Sequence, residues 1–91
     1  MNRLMARRYV ISGRVQGVGF RYFAERAARA AGVTGWVRNL DDGRVEVYAN
    51  GTPPQLDEFE SRLRSGPPRA DIRGFEASDV APSDAKSFSI R

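Results

Sequence analysis

Arg21 stands two residues after Gly19 and four after Gly17, in the stretch SGRVQGVGFRY (Ser12–Tyr22), where an alternating pattern gives way to a helical one. A helix N-terminus carries unpaired N–H groups and the positive end of the helix dipole, which together seat an anion. Glycines ahead of it let the main chain curl and turn consecutive N–H groups inward, with no Cβ to block a close approach. Arg21 adds a planar fork matched to two phosphate oxygens. An arginine in a first turn opposes the helix dipole, a local fault of the kind found where function overrides stability. The same residues also make an ordinary tight connection, and on residue types alone the two readings stand side by side. The loop is not a dinucleotide or P-loop signature, because it lacks G-x-G-x-x-G and G-K-[ST].

The rest of the composition narrows the chemistry. The 91 residues include no cysteine and no histidine. Thiol nucleophiles, imidazole bases, Ser-His-Asp triads and ordinary zinc sites each need one or the other. Reaction chemistry is therefore left to arginine, carboxylates, amides, hydroxyls and the main chain, and no metal or cofactor is expected. The net charge of +4 and a pI near 10.3 point to an anionic partner. Only Lys86 among the 15 basic residues is not arginine, and no basic run exceeds two residues, so the charge reads as general surface chemistry rather than a nucleic-acid footprint. No stretch approaches the roughly 18 apolar residues of a membrane span, and the basic start MNRLMARR is followed by no apolar segment of signal-peptide length. A cytoplasmic monomer is expected.

The elements that must position Arg21 follow from periodicity. Arg8–Val15 alternates, with Tyr9, Ile11, Gly13 and Val15 on one face, as a half-buried strand does. Phe20, Phe23, Ala24, Ala27, Ala28 and Ala31 recur at helical spacing up to a capping Gly32. Val33–Leu40 and Arg44–Asn50 read as two strands around Asp41-Asp42-Gly43, a hairpin signal in which the two aspartates form the turn rather than act as bases. Thr52, Pro53 and Gln55 open a second helix with a capping box. Leu56, Phe59, Glu60 and Leu63 trace its inner side, with Glu60 out of type. RADIRGFEAS and KSFSIR read as a fourth and a short last strand, joined by the loop DVAPSDA.

This order is the split β-α-β, ferredoxin-like α+β pattern: two helices on one face of an antiparallel four- to five-stranded sheet, in a single domain over 1–91 with residues 1–6 a disordered N-terminus. The first helix is a right-handed crossover, so the first two strands run parallel and end at the same edge. Asn39, closing the second strand, then lies at the end that holds the glycine loop. Taken alone, an asparagine there ordinarily hydrogen-bonds its own turn. Trp36 and Tyr48 read as packing residues of the opposite sheet face, Gln16 as either a loop-closing or an exposed side chain, and Arg14 and Arg38 as solvated.

GRVQGVGFR (Gly13–Arg21) and GWVRNLDDGRVEV (Gly35–Val47) together resemble the double signature of the acylphosphatase family, and the resemblance runs from the first strand to the terminal FSIR. It implies a small, cofactor-free, ferredoxin-like hydrolase of the carboxyl–phosphate bond of acyl phosphates. By position it implies that Arg21 binds the phosphate in catalysis, that the Asn39 amide places the attacking water, and that the main chain of Gln16, Gly17, Val18, Gly19 and Phe20 forms the phosphate cradle. A small acyl phosphate is the implied substrate and inorganic phosphate a product.

Two rival readings share the fold pattern. RNA-recognition modules stack bases on aromatics of the first and third strands, but the third strand here, RVEVYAN, holds one aromatic and a glutamate. An acylphosphatase-like domain of a carbamoyl-transfer maturation factor is the other, and such a domain continues into zinc-binding cysteine motifs. A non-catalytic anion binder fits poorly with both Arg21 and Asn39 present.

Overall fold

Tyr9 and Ile11 are fully buried, as their alternation requires, and with Val37, Val45 and Val47 they form the sheet's half of the core. A computed structural model describes residues 3–91. The elements run β1 (Met5–Arg14), α1 (Phe20–Ala31), β2 (Thr34–Asn39), β3 (Val45–Gly51), α2 (Pro53–Ser65), β4 (Asp71–Val80) and β5 (Phe88–Ile90). In the sheet the order is β4-β1-β3-β2-β5. Both β1 and β2 are antiparallel to β3, so they run parallel to each other with β3 between them. β1 also pairs antiparallel with β4, through a register shift at Ser12/Gly13.

The helices cover one face because each presents an apolar stripe to it. Phe20, Ala24, Ala27, Ala28 and Ala31 of α1 and Leu56, Phe59 and Leu63 of α2 are buried against the sheet. α1 ends at Gly32, left-handed at φ 80°, whose N–H donates to the Ala28 carbonyl. α2 opens on the capping box: the Gln55 N–H donates to Thr52 Oγ1 and the Thr52 N–H to Gln55 Oε1 at 2.9 Å. Glu60, out of type on the inner side of α2, is half-buried against Arg7 and Arg64.

Three expectations need correction. The sheet is mixed rather than antiparallel, since β5 pairs parallel to β2 from Gly35↔Phe88 to Val37↔Ile90. A segment this short carries no sequence sign of its direction, which is decided by the route of the chain from β4. The first strand begins at Met5, where Met5 and Ala6 pair with Gly51 and Asn50, so residues 5 and 6 are not disordered; the same expectation for residues 1 and 2 lies outside the described residues. β4 extends through Asp79 and Val80, which had read as loop, because β1 offers Arg7 and Ala6 as partners.

Candidate active site

The loop between β1 and α1 is built by glycine. Gly17 and Gly19 take left-handed φ angles of 72° and 79°, a conformation that costs other residues about 1–2 kcal/mol. Gly19 is the N-cap of α1, and among the described residues no side-chain hydrogen bond caps the helix's first N–H groups. Those groups face the anion-seating end of the helix without a partner of their own. A cavity of about 190 Å³ opens there, lined by Val15, Gln16, Gly17, Gly19, Phe20, Arg21, Tyr22 and Asn39.

Arg21 lies at the wall of this cavity on the first turn of α1. Its guanidinium donates one hydrogen bond, at 3.0 Å, to the main-chain oxygen of Arg91, the last residue of the sequence. Arg91 is held in turn by its N–H to the Val37 carbonyl at 2.8 Å, which extends the β2–β5 pairing by one residue. The fork of Arg21 is thus oriented from the end of the β5 extension while it lines the cavity.

Asn39 enters from the other side. It is the last residue of β2, paired with Val45 across the hairpin, and it is half-buried. No hydrogen bond of its amide to its own turn is found among the described residues, so the ordinary strand-end role does not occupy it. Parallel β1 and β2 bring the ends of both strands to one edge, and the cavity joins them.

The loop and the hairpin are tied by Gln16. Its Nε2 donates to the Leu40 carbonyl at 2.8 Å and to the Arg44 carbonyl at 2.9 Å. Of the two sequence readings of this side chain, loop closure is the one found. Val18 does not line the cavity; its side chain packs against the core, which leaves only its main chain to the loop. Val15 and Tyr22 line it without having been singled out. Tyr22 is exposed, and no sequence signal marks it.

Charges near the site are mostly spent. Arg38 was expected to be solvated, but it and Arg8 clamp Glu46 from β2 and β1, with bonds of 2.6 and 2.5 Å. Burial works against the Glu46 carboxylate, yet the hydrogen bonds from the two arginines outweigh it and hold the carboxyl below its ordinary range. Asp42 accepts from the Arg44 N–H and guanidinium, which lowers its pKa and confirms it as a turn former. Trp36 and Tyr48 stack at 5.8 Å on the open sheet face, with Arg38 and Arg91 over the Trp36 ring. A larger hollow of about 270 Å³ between the helices, lined by Phe23, Arg26, Ala27, Ala30 and Arg62, shares no residue with the site and holds no amide beside its cations. Among the described residues no cluster of carboxylates forms a metal site, and no helix is long and apolar enough to cross a membrane.

The family model described as Acylphosphatase matches residues 7–90. This chain belongs to the acylphosphatase family. The acylphosphatase of Solibacter usitatus is 55% identical over 86 residues, which cover 94% of this chain and 90% of that one. The crystal structure of acylphosphatase from Bacillus subtilis superposes with a TM-score of 0.93 at 36% identity, covering 96% of this chain and 98% of that one. Full-length HypF, in a phosphate- and nucleotide-bound form, matches at 26% identity and a TM-score of 0.89, but over 12% of its own chain. Family membership makes this protein a hydrolase acting on acyl phosphates, and its mixed sheet with two helices is the family's ferredoxin-like fold.

Proposed function

We propose that the chain hydrolyses small acyl phosphates by holding the phosphoryl group between Arg21 and the main chain of Gln16–Phe20 while the Asn39 amide orients the attacking water. The observation that carries this reading is the single cavity lined by the loop, Arg21 and Asn39. The N–H groups at the start of α1 and the Arg21 fork would contact the equatorial phosphate oxygens, where transition-state charge collects. One Arg–phosphate contact at about 4 Å contributes roughly 4 kcal/mol per unit charge at an effective dielectric near 20, before desolvation is subtracted.

The reaction asks little else of the protein. The water oxygen attacks phosphorus, the bond from phosphorus to the carboxyl oxygen breaks, and that oxygen leaves with the electron pair as a carboxylate. A carboxylate leaving group needs no proton, and the proton of the water passes to a phosphate oxygen of the substrate. Phosphoryl transfer through a loose transition state depends on positioning and charge stabilisation, which arginine, amide and main chain supply without histidine.

The sequence stands closer to the acylphosphatase of Solibacter usitatus, at 55% identity over 90% of that chain, than to full-length HypF, at 26% over 12% of that chain, and this supports the hydrolase reading over that of a domain serving a larger protein. Action as a monomer is part of this proposal and is checked by the molecular mass in solution. Cytoplasmic residence belongs to the same proposal and is checked by cell fractionation. The deciding assay is phosphate release from acetyl phosphate and benzoyl phosphate with chelator present. Turnover is expected in the wild type and is expected to be lost in Arg21→Gln with folding retained; hydrolysis by Arg21→Gln at the wild-type rate would sink the site assignment.

A further inference from the structure

The distance between the anion seat and Asn39 is not set by the sheet. The β1–β3 ladder runs from Met5↔Gly51 to Ile11↔Val45 and stops there, before the glycine loop begins. β2, which carries Asn39, is not a neighbour of β1, because β3 lies between them. Past Ile11 the loop therefore needs another tie to the hairpin. Among the described residues, the hydrogen bonds found between residues 15–20 and 39–45 are the two donated by the Gln16 amide.

Their placement is specific. Leu40 follows Asn39, and Arg44 precedes Val45, the residue paired with Asn39. Leu40 and Arg44 also close the hairpin, through the Leu40 N–H donating to the Arg44 carbonyl at 2.8 Å. Gln16 uses both hydrogens of one planar amide to grip both sides of the hairpin base, one residue from Asn39. Neither carbonyl depends on it, since Leu40 also accepts from the Gly43 N–H and Arg44 from the Leu40 N–H. Removing the Gln16 amide leaves no buried acceptor without a partner, and the hairpin keeps its own closure. What is lost is the registration of the hairpin against the loop.

We propose that the Gln16 side chain is a positioning residue, distinct from its main-chain part in the cradle, which locks the Asn39 hairpin to the phosphate loop so that water held by Asn39 lies in line with the seated phosphoryl group. This rests on the roles proposed for Arg21 and Asn39. The loop keeps its own glycine geometry and helix terminus without the Gln16 amide, so anion affinity and turnover come apart. A displacement of about 1 Å in a reacting group costs up to about 100-fold in rate.

The test is Gln16→Ala, measured for turnover and for inhibition by inorganic phosphate. A fall in kcat of about 10- to 100-fold is expected, with KM and the phosphate inhibition constant within about 2-fold of wild type. Gln16→Glu supplies a donor only when its carboxyl is protonated, so its deficit relative to wild type should shrink as pH falls toward about 4.3. In a phosphate titration followed by NMR, the wild type should show the loop N–H signals and the Asn39 side-chain amide signals moving together. In Gln16→Ala the loop signals should still move and those of Asn39 should not. Loss of phosphate affinity in step with kcat, or an Asn39 response unchanged by the substitution, overturns the proposal. The NMR comparison needs no turnover: a wild type inert toward acyl phosphates refutes the functional reading, while the Asn39 response still decides the role of Gln16.

Discussion

The Arg21 guanidinium donates to the main-chain oxygen of Arg91 at 3.0 Å, so the first turn of α1 is tied to the strand extension that follows β5.

The fork of Arg21, rather than its charge alone, should set phosphate affinity. In Arg21→Lys the charge remains and the two-pronged geometry goes. Competitive inhibition by inorganic phosphate is expected to weaken by about 10-fold or more, one lost charge-assisted hydrogen bond. Asn39→Ala should instead lower kcat about 100-fold and leave the phosphate inhibition constant within about 3-fold, since water placement is a transition-state contribution. Inhibition constants and kcat for the two variants check the division of labour.

Gly19→Ala tests the curl of the loop. A Cβ there would meet nothing within 4 Å, so the cost comes from the φ of 79° alone, about 1 kcal/mol of stability. Strain relieved by leaving the left-handed region turns the loop N–H groups away from the cavity, and phosphate inhibition should weaken. Gly43→Ala, at φ 94° with equally open surroundings in the hairpin turn, is the control. It should lose similar stability with phosphate binding intact; equal effects of the two on binding would deny the loop its role.

Glu46 links acid sensitivity to the open sheet face. Its folded-state pKa is lowered, so its contribution to stability is full above the ordinary carboxylate range and is lost as pH falls through the lowered value. Glu46→Gln is expected to cost about 1–3 kcal/mol at neutral pH, because two arginines lose a buried, charged acceptor. Urea unfolding at pH 7 and pH 3 should show the variant and the wild type converging at the lower pH.

Tyr9 makes the opposite kind of pH device. Its ring packs against Phe59 and Phe75, and its hydroxyl is buried beside Arg7. Burial first, and the Glu60 carboxylate next, push its pKa up to about 12 from 10.0. The neutral phenol is then favoured in the folded state, so stability is unaffected below pH 10 and falls by about 1.4 kcal/mol per pH unit between there and pH 12. Tyr9→Phe should remove that slope, because the titrating hydroxyl is deleted. Alkaline unfolding curves of the two proteins measure it.

Most of the elements were legible because their signals are local. Alternation marks β1 and β3, the helical spacing from Phe20 to Ala31 marks α1, and Thr52, Pro53 and Gln55 mark the start of α2. The glycine loop and Arg21 were visible in eleven consecutive residues. Asn39 was not, except through resemblance: its residue type at a strand end is ordinary, and its importance comes from lying across a cavity from a loop some twenty positions earlier.

The amino-acid sequence by itself determined the turn chemistry, the periodicity of each element and the absence of thiol and imidazole, since these depend on residue types and near neighbours. Tertiary structure alone decided that β3 separates β1 from β2, that β5 runs parallel to β2, that Arg91 orients Arg21 and that Gln16 grips the Asn39 hairpin. Each of these joins residues far apart in the chain, and their contacts follow from the packing of the whole sheet against two helices, which no local pattern encodes.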